Sequence, residues 1–152
     1  MIIDLRKKHT KPKIKFDEFG GNCLIIGNRI DEVSLWGLTA IKQLKLSSHT
    51  SAVYAVNFFP PSTEEDPIYG QRKKYVKRLK ALLKEAKGAR EEDTRKMYII
   101  ILGADQVKRD TKGYEEMLSL SELGSKGYLH VIALSLNNLN VEFEKYFKDR
   151  II

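Results

Sequence analysis

The chain is poor in the residues that announce chemistry. It has one cysteine, three histidines, one tryptophan and four prolines in 152 residues. A single cysteine excludes an internal disulfide and fits a reducing compartment. Cys23 itself reads as a small buried strand residue. His9, His49 and His130 lie far apart with no cysteine or histidine at ligand spacing, which argues against a zinc site. No apolar run approaches the roughly 20 residues of a membrane-spanning helix. Met1-Ile2-Ile3 leads straight into acid and base, so no secretory leader is expected. Neither Ser34 nor Ser135 stands in a nucleophile elbow or a triad-like pattern, which argues against hydrolase chemistry. There is no internal repeat and no low-complexity linker.

What is present is an ordinary globular composition, 42% apolar and 31% charged, at a length that suits one domain with a sizeable core. The net charge is +7, and much of it sits in two runs, "RKKHTKPKIK" (Arg6 to Lys15) and "RKKYVKRLK" (Arg72 to Lys80). Such a balance points to an acidic partner without choosing among nucleic acid, an anionic membrane surface and an acidic protein. The first run reads as a basic N-terminal segment or interdomain linker over residues 1–15, with the folded domain at 16–152. The second, carrying Arg72, Lys73, Lys74, Lys77, Arg78 and Lys80, is a candidate anion or partner surface, or simply the solvated face of an amphipathic helix.

Apolar periodicity orders the rest. "KIKF" (Lys13 to Phe16) alternates like a short strand. "NCLIIG" is a continuous apolar run ending in glycine, as in a strand buried on both faces. Val33, Trp36, Gly37, Ala40, Ile41 and Leu44 then mark one face of a helix. Ser51 to Phe59 reads as a second strand, stopped by Pro60-Pro61 and followed by a loop. Tyr75, Val76, Leu79, Leu82, Leu83 and Ala86 form the stripe of the next helix. Met97 to Leu102 is the most hydrophobic strand. "YEEMLSLSELGSKG" is a helix ending at Gly124 or Gly127, "YLHVIALSL" a fourth strong strand with His130 at its start, and "VEFEKYFKDRII" begins as a helix. Alternating strands and helices with unbroken apolar strands imply a mainly parallel sheet covered on both faces.

One stretch carries the functional question. After the first strong strand comes Gly27-Asn28-Arg29-Ile30-Asp31-Glu32-Val33-Ser34, which keeps the frame and both ends of the phosphate-binding loop G-x-x-x-x-G-K-[ST]. Glutamate replaces the second glycine and valine replaces the lysine. In an intact loop, backbone N–H groups and the helix N-terminus wrap the phosphates, lysine neutralises them and Ser/Thr holds magnesium. Here Val33 brings no charge, while Asp31 and Glu32 bring like charge to the place of the phosphates. Asp31 is expected as helix N-cap with Glu32 in the first turn, both filling the former anion space. Arg29 is a candidate phosphate contact or a solvated loop residue.

Taken in order, these elements resemble the P-loop ATPase core of FtsK/SpoIIIE-type translocases, and most of all the degenerate C-terminal ATPase domains of type VII secretion ATPases (EssC/EccC-like). "FGGNCLIIG" fits the family's strand into the loop. "YIIILGADQV" aligns with its Walker B strand, with Gly103, Asp105 and Gln106 in place and Leu102 where the metal-site aspartate stands. "GYLHVIALSLNN" matches a later strand at Gly127, His130 and Ser135, and "FKDRII" resembles a closing F-x-x-R-I. The resemblance implies a three-layer RecA-like P-loop fold with a further core strand beyond Ile152. It implies a vestigial nucleotide site made of Gly27 to Ser34 with Leu102, Asp105 and Ser135, no catalytic residue, no resident metal and no productive binding of ATP or Mg²⁺. The function so implied is that of a pseudo-ATPase module in protein secretion, recognising substrate or regulating neighbouring ATPase domains of the same chain. It would lie on the cytoplasmic face of the bacterial cell membrane, within a membrane-anchored protein, and meet helical secreted substrates. Two alternatives stand beside it: a DNA-binding module of an FtsK-like translocase or a conjugation or defence protein, and an ATP-binding translocase domain with an unusual nucleotide site.

Overall fold

The structure, a computed structural model, describes residues 2–4, 6, 21–46, 52–59, 72–88, 97–111, 113–126 and 129–147. Five strands, β1 (Ile2–Asp4), β2 (Cys23–Ile26), β3 (Ala52–Asn57), β4 (Met97–Leu102) and β5 (His130–Ser135), make one sheet. Its order is β1-β2-β5-β4-β3 and every neighbouring pair is parallel. Among the described residues four helices accompany it: α1 (Ile30–Leu46), α2 (Arg72–Gly88), α3 (Tyr114–Ser125) and the short α4 (Val141–Glu144). A 3-10 turn, Ala104–Gln106, follows β4. Among the described residues no helix is long and apolar enough to cross a membrane.

The unbroken apolar strands have the reason expected of them. Leu24, Ile26, Ile99, Ile101, Val131 and Ala133 face one core layer with Leu79 and Leu82 of α2, Met117 and Leu120 of α3, and Phe143 of α4. The alternate residues Cys23, Ile25, Ile100, Leu102, Ile132 and Leu134 face a second layer with Val33, Ala40 and Leu44 of α1. Helices therefore cover both faces of a parallel sheet, and β2, β4 and β5 have no solvent side to keep polar. Burial pushes the Cys23 thiol up to about 12, which suits an inert core residue. Trp36 is half-buried against the α1 layer.

β1 was not anticipated. It begins the segment read as a basic linker, and Ile2, Ile3 and Asp4 pair in register with Leu24, Ile25 and Ile26. The expected strand Lys13 to Phe16 lies outside the described residues. β3 ends at Asn57, short of Phe59, because Asn57 Oδ1 accepts the Phe59 N–H at 2.9 Å and turns the chain.

Asn22, the residue before β2, ties the layers together. Its Nδ2 donates to the carbonyls of Ser121 (2.7 Å) and Tyr146 (3.1 Å), and its Oδ1 accepts the Val131 N–H at 3.1 Å. Gly124 is the other half of this contact: a Cβ there would lie 1.9 Å from Asn22 Oδ1. Gly124 thus does not stop α3, which runs on to Ser125; it clears room for Asn22. His130 is a structural strand-start residue. Its ring stacks on Tyr98 at 4.6 Å and its Nδ1 donates to the Gly21 carbonyl at 3.0 Å. α4 is too short to stand alone. Asn140 caps it through the Phe143 N–H, and Glu142 accepts from Tyr114 Oη at 2.8 Å and pairs with Arg109.

Asn22→Ala leaves three backbone groups without this partner, two of them in buried bonds and one in a part-buried bond. It should lower stability by about 3 kcal/mol, read as a lower urea midpoint at unchanged m-value. Gly124→Ala should also destabilise, since Asn22 must then move.

Candidate functional site at the carboxyl edge of the sheet

The strands are parallel, so their carboxyl ends meet along one edge, the edge where open α/β sheets bind ligands. β5 lies between β2 and β4 and joins their ends. The Gly27 N–H donates to the Ser135 carbonyl (3.0 Å), the Gly103 N–H to the Leu134 carbonyl (2.8 Å), and the Phe58 N–H to the Leu102 carbonyl (2.7 Å). Gly103 has φ of 75°, and a Cβ there would lie 2.7 Å from the Phe59 nitrogen. This glycine is required both by its left-handed conformation and by the close approach. Beyond it, Ser135 Oγ donates to the Asn137 carbonyl at 2.7 Å, and Asn137 Nδ2 donates to Asp105 Oδ2 at 3.2 Å. Gly27 and Ser135 thus meet through the backbone, and Ser135 is linked to Asp105 only through Asn137. Asn137 is a member the sequence reading missed; its only signal was the asparagine pair after β5.

The turn between β2 and α1 departs from expectation. The first helical hydrogen bond runs from the Val33 N–H to the Arg29 carbonyl at 3.1 Å. Arg29 therefore holds the N-cap position, and Asp31 lies inside the first turn rather than capping it. Only Gly27, Asn28 and Arg29 connect strand to helix. Ile30, Asp31, Glu32, Val33 and Ser34, which would include most of a phosphate-wrapping loop, are helical. A phosphate cradle needs successive N–H groups turned toward one anion. Here the Gly27 and Val33 N–H groups are already spent on Ser135 and Arg29.

The side chains explain the shift. Val33 is fully buried in the α1 layer, and Leu102 belongs to the same apolar cluster. α1 comes close to the sheet at Gly37, where a Cβ would stand 2.7 Å from Leu102 Cδ2. The two positions that would carry the phosphate lysine and the metal-site acid are thus both packing residues of one core layer. Ser34 is half-buried.

Contrary to expectation, Asp31 does not turn into the space beside the strand ends either. Its carboxylate is 65% exposed and takes a two-pronged ion pair from Arg29, itself 72% exposed: Nε to Oδ1 at 3.0 Å and Nη2 to Oδ2 at 2.5 Å. This hydrogen bond holds the Asp31 carboxyl below the usual carboxylate range and raises the Arg29 guanidinium. Arg29 is engaged with its own chain, and Asp31 and Glu32 sit favourably at the positive end of the helix dipole.

Elsewhere, Lys77, Arg78 and Lys80 are exposed on α2, joined by Lys84 and Lys87. Lys80 Nζ lies 3.9 Å from Glu116 Oε1. The side chains of Arg72, Lys73, Lys74 and Tyr75 lie outside the described residues. α2 covers the sheet face opposite α1, so the basic run and the Gly27–Ser34 turn are not brought together. Among the described residues no three His, Cys, Asp or Glu side chains gather as a metal would require. The donors that hold magnesium-bound triphosphate do not fit here: the lysine and acid positions are apolar and buried, and the loop is a helix.

No family model, curated protein or solved structure matches the chain.

Val33→Lys places a charge in the apolar layer and should cost about 3–5 kcal/mol in chemical denaturation. Val33→Lys with Leu102→Asp supplies both residue types that a phosphate loop and its metal-site acid would use, yet should gain no magnesium-dependent stabilisation by ATP in a thermal melt, because the loop geometry is missing. The Arg29–Asp31 pair gives a pH signature. Asp31 is depressed in the folded state, so its stabilising contribution is present above the ordinary carboxylate range and fades as pH falls through the depressed value. A carboxyl NMR titration should place Asp31 below an ordinary aspartate, and Arg29→Ala should return it.

Proposed function

We propose that this chain is a non-catalytic binding module on a three-layer RecA-like scaffold, a pseudo-ATPase domain of the FtsK/SpoIIIE type. The observation that supports this most is the joint burial of Val33 and Leu102 in one core layer beneath α1. Both positions lie in order on adjoining elements, and an active site would not seal them. A parallel sheet with helices on both faces is compatible with that scaffold. The order of the strand–turn–helix, the "YIIILGADQV" strand and the Ser135 strand supports the likeness to type VII secretion ATPases. The module then serves a membrane-anchored secretion motor from the cytoplasmic side, recognising helical secreted substrate or regulating neighbouring ATPase domains. Nucleotide turnover is left to those neighbours.

A direct test titrates a purified helical-hairpin secretion substrate against the chain by calorimetry, alongside the same substrate lacking its C-terminal tail. The reading expects binding of the intact form and loss of binding on truncation. A second reading, contact with a nucleic-acid backbone, is favoured by the exposed Lys77, Arg78, Lys80, Lys84 and Lys87 on one helix. It expects duplex DNA binding whose affinity falls steeply with salt, by up to about 0.9 log units per log unit of salt for each phosphate neutralised. DNA binding with that slope and no substrate binding would replace the first reading by the second.

A further inference from the structure

The buried face of α1 runs through Val33, Gly37, Ala40 and Leu44, at steps of four, three and four. The opposite face repeats that spacing in solvent: Asp31, Leu35, Leu38 and Lys42 are all exposed. Leu35 is 64% exposed, Leu38 53%, and Leu46 at the helix end 88%. Alternating steps of four and three are the spacing by which helices pack in coiled-coil fashion. Thr39, on the margin of this face, donates its hydroxyl to the Leu35 carbonyl at 2.9 Å and so makes no outward polar demand. Two leucines one turn apart, with no neighbour in the described structure to shield them, are an unpartnered seam.

The charges along the seam identify what fits it. The helix start carries Asp31 and Glu32 against Arg29, a net negative end, while Lys42 and Lys45 make the other end positive. Laid parallel, two copies of α1 would oppose Asp31 to Asp31 and Lys42 to Lys42. Laid antiparallel about a two-fold axis between Leu35 and Leu38, each Asp31 meets Lys42 of the second copy and each Leu35 meets its Leu38. One surface then complements itself, which is the requirement of an isologous dimer. The opposed helix dipoles agree with that orientation. Asp31 can serve both Arg29 and the second copy's Lys42, since each carboxylate oxygen accepts more than one hydrogen bond.

We propose that the outer face of α1 is a self-association surface on which two copies of this chain pair antiparallel through Asp31, Leu35, Leu38 and Lys42. Two leucines a side on one pair of helices bury less than the roughly 1,200 Å² of a standard interface, so the dimer is weak and reversible. The inference shares Asp31 with the Gly27–Ser34 turn but needs no nucleotide reading of it, since it uses only the face of α1 turned away from the sheet.

Sedimentation equilibrium of the full chain at low salt, across about a hundredfold concentration range, tests it by mass action. The expected result is a monomer–dimer equilibrium that Leu38→Glu shifts to monomer. Asp31→Lys and Lys42→Asp should each weaken the dimer by about tenfold, since each creates two like-charge contacts across the axis. The double variant Asp31→Lys, Lys42→Asp should restore association to within about threefold of the parent. All four positions are exposed, and unchanged circular-dichroism melts for the Lys42 and Leu38 variants establish that they fold. A chain monomeric at every concentration overturns the proposal, as does a dimer insensitive to Leu38→Glu or one that the double charge reversal fails to rescue.

Discussion

The close approach of α1 to the sheet at Gly37 is the constraint on which the candidate site depends. A side chain there would push the Leu102 side chain out of its place, since a Cβ would stand 2.7 Å from Cδ2. With glycine in place, Leu102 fills the gap beneath the helix, and Val33, one turn earlier on the same face, is seated in the same layer. Seating Val33 requires helical geometry at Val33, and its N–H then bonds the Arg29 carbonyl. The helix begins a turn early, three residues after β2. The residues after Arg29 form the first turn of a helix, and that turn is held by core packing and its own backbone bond.

This ordering of causes accounts for what could be read beforehand. Unbroken apolar runs such as "CLII", "MYIIIL" and "HVIALS" have one physical meaning in a soluble α/β chain, burial on both faces, and all three are wholly buried strands. The apolar stripe of α1 was legible for the same reason: Val33, Gly37, Ala40 and Leu44 face the sheet. Length-poor or non-local features were not legible. β1 is three residues whose identity as a strand comes from pairing with β2. The placement of β5 between β2 and β4 is a property of the sheet, not of any segment.

The site was legible as a place and misread as a geometry. Capping preference favoured Asp31, because a short carboxylate is a good N-cap. The tertiary demand for a buried Val33 moved the cap to Arg29, and Asp31 turned outward to pair with it. Gly124 reads locally as a helix stop, yet its absent side chain serves Asn22, far away in sequence. In each case a local preference was overruled by a contact across the fold, which a single sequence does not display.

The chain thus offers two kinds of surface. The carboxyl edge is tied together by backbone hydrogen bonds and by Ser135, Asn137 and Asp105, whose Oδ1 is buried without a hydrogen-bond partner among the described residues, while the outward faces of α1 and α2 are presented to solvent. The central claim is that the turn after β2 is a closed helix start rather than a phosphate cradle. Backbone chemical shifts of Ile30 to Ser34, with and without excess Mg²⁺ and ATP, test it most directly. The account predicts helical shifts from Ile30 onward, a slowly exchanging Val33 amide and no change on adding nucleotide. Extended or loop-like shifts at Ile30 to Val33, with amide perturbations there when Mg²⁺ and ATP are added, would contradict it.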